Sequence, residues 1–315
     1  MNEFKLIEKY LKPLSYKNSS ALNLRDDIFF DKNNRLAVSV DTYVQGVHFI
    51  GVNPKYFIKK VLRASLSDMY CKGIKPKTYF LSFASNNKIT NSFSLNKIKK
   101  ILFKEQKKFN IFLGGGDTTN SSKLVITIVV LGYSKKKPVL RKGSSIDDDI
   151  YVTGNIGDSY IGLNILKNKM NFGKYNKFFI KKYYEPDLPV KFSPFLNKIA
   201  SSSIDISDGL AQDLEHLCVN SNCGAQINLE SIPFSSSCQR LLDKKKIKID
   251  NIFSKGDDYQ ILFTSKPKNR SKIIQISKKI NTKISKIGVM TRNKNIHFKR
   301  YDQRINLSAK NKGYT

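Results

Sequence analysis

The chain has 315 residues, 40% of them hydrophobic, and 56 Lys and Arg against 25 Asp and Glu give a formal charge of +31 at pH 7. That length supports about two domains with a sizeable core, and no apolar run approaches the roughly 18 residues that a membrane helix needs. The basic residues are scattered along the whole chain, as in KKKPVLRKG and KPKNRSKIIQISKK, so the charge forms no single nucleic-acid-binding stripe.

In chain order, residues 3–12 read as an amphipathic helix, with Phe4, Leu6, Ile7, Tyr10 and Leu11 toward one side. A strand follows at Leu36 to Val40, then a helix over 54–71 with Pro54 near its first turn. Tyr79 to Phe83 reads as a strand and 93–109 as a Lys-rich helix. Strands at Ile111 to Leu113 and Leu124 to Leu131 flank a Gly-rich loop. A segment rich in Lys, Pro and Gly around 134–146 marks the boundary between a domain over 1–137 and a second over 138–315.

The second half opens with a strand at Ile150 to Thr153. Helices are expected at 158–168, 176–183, 189–200, 209–221, 236–244 and 270–281. Strands are expected at Ala225 to Leu229, Tyr259 to Thr264 and 284–290. Strands often follow one another without a crossover helix, which predicts an α+β fold rather than a doubly wound parallel sheet. The N-terminus, MNEFKLIEKYLKPL, lacks the apolar core of a signal peptide, and a cytoplasmic location is expected. Cys71, Cys218, Cys223 and Cys238 have no paired zinc-ligand spacing, which suits reduced structural thiols.

The scarce acids gather in short blocks beside Gly, Ser and Thr: RDD, SVDT, SLSD, GGGDTT, DISDG and GDDY. Mg²⁺ prefers hard oxygen ligands and commonly bridges carboxylates to substrate phosphates. Convergent Asp side chains would repel one another unless cations neutralise them. Phosphoryl transfer asks mainly for positioning and charge neutralisation, so it needs no protein nucleophile. Each block alone also fits an ordinary turn or helix cap. No GxxxxGK[ST] loop, protein-kinase HRD or DFG set, GxSxG elbow, HExxH or GxGxxG is present.

Taken in order, the blocks resemble the thiamine-monophosphate kinase family over nearly the whole chain. The motifs are RDDIFF, VSVDTYVQGVHF, LSDMYCKGIKP, FLGGGDTT, VLRKGSSIDDDIYVTGNIGDS, SIDISDGLAQDLEHL, CGAQINLESIPFS and GDDYQILFT. The resemblance implies a two-domain fold of the aminoimidazole-ribonucleotide synthetase type. Its N-terminal sheet would form a barrel across a homodimer interface, and its C-terminal domain would be an α/β sandwich. It also implies ATP-dependent phosphorylation of thiamine monophosphate to thiamine diphosphate, with several Mg²⁺ ions, by direct in-line transfer and without a nucleic-acid or membrane partner. By the same resemblance Asp27, Ser39, Val40, Asp41, Asp68, Asp117, Asp205 and Asp208 would surround the metals, with Asp68 and Asp208 central to catalysis. Phe109, Gly116, Asp117, Arg141 and Ser207 would meet ATP, and His48, Asp257 and Tyr314 the substrate. The chain departs from the family pattern at Arg25, where Gly is common, and at Gln260, where Glu is frequent. Two other readings stay open: another ATP-dependent synthetase of the same superfamily, and a basic nucleic-acid-binding protein.

Overall fold

The computed structural model describes residues 3–86, 91–253, 255–300 and 303–305. Its helices are α1 (Glu3–Leu6), α2 (Pro54–Cys71), α3 (Ser92–Phe109), α4 (Asp158–Leu166), α5 (Asn176–Tyr184), α6 (Leu196–Ile199), α7 (Leu210–Ser221), α8 (Ser236–Asp243), α9 (Ile249–Phe253) and α10 (Arg270–Ile280). The first sheet holds β1 (Phe29–Asp31), β2 (Leu36–Val44), β3 (Lys75–Ser85), β4 (Phe112–Asn120) and β5 (Val125–Tyr133), in the order β1-β2-β5-β3-β4. The second holds β6 (Asp149–Thr153), β7 (Ser202–Asp205), β8 (Gly224–Asn228), β9 (Ile261–Ser265), β10 (Ile284–Thr291), β11 (Ile296–Arg300) and β12 (Gln303–Ile305), in the order β12-β11-β8-β10-β6-β9-β7. The fold is α+β. Among the described residues the first sheet is open, with β1 and β4 at its edges.

Helix α2 joins the two halves. The Asn53 side chain caps it by accepting from the Lys55 amide at 3.0 Å, and Pro54 opens the first turn, where no N–H is missed. Its near-continuous burial fits its position, packed on β2, β3 and β5 of the first sheet and on β7 of the second. It stops at Gly73, whose φ of +74° is the left-handed conformation that suits glycine after a helix end. Along β5 the inward Ile126, Ile128 and Val130 alternate with half-buried residues, so one face of the first sheet lies on the core. Strands β6 and β9 are buried on both faces.

Four expectations from sequence are corrected here. GGGDTT is not a loop but part of β4, paired in parallel with β3. Its glycines serve that pairing: a Cβ on Gly116 would stand 1.9 Å from the Leu81 carbonyl oxygen. The helix expected over 189–200 shrinks to a 3₁₀ turn at Ser193–Phe195 and α6, because Pro194 lacks the N–H that an α-helical ladder needs. The opening helix keeps one α turn and then widens to a π turn at Ile7–Leu11. Asp257 and Tyr259 take φ of +70° and +51°, so the strand expected from Tyr259 begins at Ile261. Strands β1, β7, β11 and β12 and helix α9 were not anticipated from the sequence.

Candidate active site

The acidic blocks converge where α2 meets both sheets. Asp27 precedes β1; Ser39 and Asp41 project from the core face of β2; Asp68 lies in the last turn of α2; Asp205 ends β7. Ser39 donates to Asp68 Oδ2 at 2.5 Å. Burial, with Asp27 nearby, pushes Asp41 up to about 6 and Asp205 up to about 7. Burial and the neighbouring carboxylates of Asp41 and Asp205 raise Asp68 well above the ordinary range. Asp41 Oδ2 is buried without a hydrogen-bond partner. Three carboxyl groups that resist ionising together, one with an orphaned oxygen, could be relieved by a cation.

Asp27 behaves differently. Burial opposes its ionisation, but Arg141 and Lys72 outweigh that and hold the carboxyl well below the usual range. Arg141 pairs with Asp27 Oδ1, and its backbone amide donates to Asp26 Oδ2 at 2.8 Å. Lys72 Nζ lies 2.9 Å from Asp26 Oδ1 and 2.6 Å from Asp27 Oδ2. Cys71 stands near Asp27 and Asp205. Burial pushes its thiol well up, and it donates to the Asp68 carbonyl at 3.2 Å, so oxygens rather than this sulfur could hold a cation here.

A second group continues from the DISDG turn. Asp208, Asp213 and His216 bring one ligand atom each to within 4.8 Å of one another. Asp213 accepts from the amides of Asp208 at 3.2 Å and Gly209 at 3.0 Å, and Gln212 donates to Asp208 at 2.8 Å. Burial and Arg141 lower His216 to about 4, keeping the imidazole neutral. Asp213, His216 and Lys72 were missed from sequence. Asp213 and His216, three apart on α7, carried a legible signal in the shared helix face; Lys72, one more Lys among many, carried none.

Ser207 stands beside this group, and its carbonyl accepts from the Asp257 amide at 2.9 Å. A Cβ on Gly256 would lie 1.7 Å from that carbonyl oxygen, so only glycine admits the close approach. Asp257 pairs with Lys60 Nζ at 2.5 Å and accepts from the Tyr259 hydroxyl at 2.9 Å. Lys60 also lies over the Tyr183 ring, 3.9 Å from its centroid. His48 is close by: its Nδ1 accepts from the Val44 amide at 2.9 Å, and Tyr183 donates to its carbonyl at 3.3 Å. The structure therefore brings His48 and Asp257 together, and Lys60 matches the Asp257 charge from within the protein.

Other expected residues lie apart. Phe109 is 3% exposed, packed in the core near Tyr70. Val40 turns its side chain away from the core face, 62% exposed. Asp41 shares a row of the sheet with Ile128, Leu81 and Gly116, so Asp117 falls in the next row with Ser82, exposed on edge strand β4. Tyr314 lies outside the described residues.

The first sheet and its helices belong to the AIR-synthase-related class: residues 22–134 match the family described as AIR synthase related protein, N-terminal domain. The solved structure of AaThiL complexed with AMPPCP and TMP shares the fold at a TM-score of 0.82 and 23% identity, covering 99% of this chain and 96% of that one. The thiamine-monophosphate kinase of Buchnera aphidicola subsp. Acyrthosiphon pisum is 36% identical over 99% of this chain and 98% of its own length. That of Escherichia coli K12 is 32% identical, over 92% of this chain and 90% of its own. The chain belongs to the thiamine-monophosphate kinase family.

Proposed function

We infer that this protein transfers the γ-phosphoryl group of ATP to the phosphate of thiamine monophosphate, giving thiamine diphosphate and ADP. The observation that carries the reading is the buried, oxygen-donating trio of Asp41, Asp68 and Asp205 at the junction of the two sheets, in a chain of this family. The acceptor is already an ionised phosphate, so the reaction needs no strong general base. That agrees with a centre whose carboxyl groups are tuned toward cation binding.

Asp41, Asp68, Asp205 and Asp208 would hold Mg²⁺, with Ser39 steadying Asp68 and the Val40 carbonyl offering a further oxygen; Asp27, expected from sequence among the metal ligands, has its two oxygens taken by Lys72 and Arg141 instead. Bound there, Mg²⁺ would supply neutralisation of the charge shared by the two phosphates. Asp117 and Gly116, solvent-facing on β4, are assigned to the nucleotide side, together with Ser207 and Arg141. The Arg141 guanidinium suits phosphate oxygens by its planar fork. His48 and Asp257 are assigned to the thiamine monophosphate side, where the Lys60 ammonium holds the Asp257 side chain in place. Asp68 and Asp208 would be the carboxylates nearest the transfer.

We further propose a homodimer formed through the outward face of the first sheet, where Val40, Phe80 and Tyr133 are exposed, with the domain boundary near residue 137. No helix among the described residues is long and apolar enough to cross a membrane, and a cytoplasmic location accords with a need for ATP. The test is direct: purified protein, ATP, Mg²⁺ and thiamine monophosphate, with thiamine diphosphate read by chromatography. Product that disappears with EDTA is expected. ATP binding without product would move the acceptor to another small phosphate or amide.

A further inference from the structure

The acidic centre is not uniform. Asp26 and Asp27 have every carboxylate oxygen engaged. Asp26 Oδ1 takes Lys72 at 2.9 Å and the Asp27 amide at 3.0 Å, and Asp26 Oδ2 takes the Arg141 amide at 2.8 Å. Asp27 Oδ2 takes Lys72 at 2.6 Å, and Asp27 Oδ1 takes the Arg141 guanidinium. Against these two carboxylates stand two fixed cations. Among the described residues the trio of Asp41, Asp68 and Asp205 has no cation in direct contact: Ser39 donates to Asp68, the Ser65 and Ser67 hydroxyls face Asp41 and Asp205, Lys72 and Arg141 reach Asp205 only by longer-range attraction, and one oxygen of Asp41 has no hydrogen-bond partner.

Lys72 is the centre of the compensated half. Its side chain is fully buried. An ammonium has three protons to donate, and the third goes to the Ser203 carbonyl at 2.7 Å. Lys72 follows α2 directly, four residues after Asp68, so the same helix end delivers one carboxylate and one cation to the centre. A divalent ion entering between Asp26 and Asp27 would have to expel an ammonium that has no route to water.

We propose that Lys72 is a resident cation of the active site: its ammonium takes the place between Asp26 and Asp27 that a divalent ion would otherwise fill, and it confines divalent ions to the Asp41, Asp68 and Asp205 side. Lys72 is thus a positioning residue that fixes how many divalent ions the centre admits. The inference refines the phosphotransfer reading only in saying which divalent ions the reaction uses, and its test needs neither ATP nor thiamine monophosphate.

The experiment is a Mn²⁺ titration of the nucleotide-free protein, counting free ion by electron paramagnetic resonance, for the parent chain, Lys72→Met, and Lys72→Met combined with Asp26→Asn. Lys72→Met should bind an additional Mn²⁺ per chain, and the double variant should return to the parent count. Melting curves give a second reading, in which Mn²⁺ raises the Tm of Lys72→Met by more than that of the parent. An unchanged or smaller Mn²⁺ count in Lys72→Met would overturn the proposal. So would a loss of Tm that is the same with and without Mn²⁺, the mark of a purely structural lysine. A variant that stays unfolded at saturating Mn²⁺ also overturns it, because the ion then fails to replace the ammonium. A parent protein that makes no thiamine diphosphate would sink the functional reading and leave the Mn²⁺ count untouched.

Discussion

Asp68 shows how a side chain can weaken the free protein and still be proposed to serve its reaction. Burial first, then Asp41, Asp205 and Asp27, raise its pKa well above the usual carboxylate value, about 3.9 for Asp. The folded state therefore keeps a proton that the unfolded chain has already released. Wherever the native state binds more protons, stability falls as pH rises, so Asp68 costs stability through the window above the ordinary carboxylate range. Asn has the same shape and no charge to desolvate. Asp68→Asn should leave the metal-free Tm at neutral pH equal to the parent's or higher, and should flatten its fall with rising pH. Thiamine diphosphate formation should drop by most of its kcat, because the amide is a poor partner for a hard cation. Melting curves across pH and a turnover assay check the two halves of this expectation. Near-normal turnover at saturating Mg²⁺ would remove Asp68 from the site.

At the scale of elements, the buried pair of Arg63 on α2 and Glu105 on α3 sets the register of the two helices. Arg63 Nε and one terminal nitrogen meet the two Glu105 oxygens at 2.7 and 2.9 Å, and the other terminal nitrogen donates to the Pro186 carbonyl at 3.1 Å. Both side chains are 5% exposed. Glu105→Ala leaves a buried guanidinium uncompensated, which costs about 3–5 kcal/mol. A urea titration should show the midpoint falling with little change in slope; a loss below about 1 kcal/mol, the scale of an exposed pair, would mean that α3 shifts to rehydrate Arg63. This pair also illustrates what a sequence conceals. The helices themselves were legible, since Pro54 marks the first turn of α2 and α3 is a long Lys-rich segment between strands. The convergence of the acid blocks was legible because acids are rare in so basic a chain. Strand β7, SSID, was not: its serines look like a loop yet are buried, because the Ser202 hydroxyl finds Ser144 of the loop before β6 at 2.6 Å and Thr264 of β9 at 2.9 Å. The GGGDTT motif was read as a loop because glycine permits turns, but it equally permits the close strand contact that β4 makes. Lys72 was invisible because its meaning comes only from Asp26, Asp27 and Ser203, all remote in sequence.

For the whole molecule, a charge of +31 and a proposed dimer pull in opposite directions. A strong positive field draws in anionic substrates, but it also sets two copies of the chain against each other. Association would then rest on apolar contact, which the exposed outward face of the first sheet could supply. Val40, 62% exposed, and Phe80, 37% exposed, sit on the same row of that sheet, joined through Val129 of β5. Val40 neighbours Asp41 in sequence but points to the opposite face, so a change there would reach the proposed interface without altering a carboxylate. Val40→Lys would bury an unpaired charge in the contact, a penalty of several kcal/mol, and would add to the repulsion already present. Sedimentation equilibrium should find the parent chain dimeric, with association tightening as salt screens the field, and the variant monomeric with an unchanged far-ultraviolet circular dichroism spectrum. A parent that sediments as a monomer, or a Val40→Lys chain that stays dimeric, would place the contact on another surface and leave this sheet face to be explained as a site for a different partner.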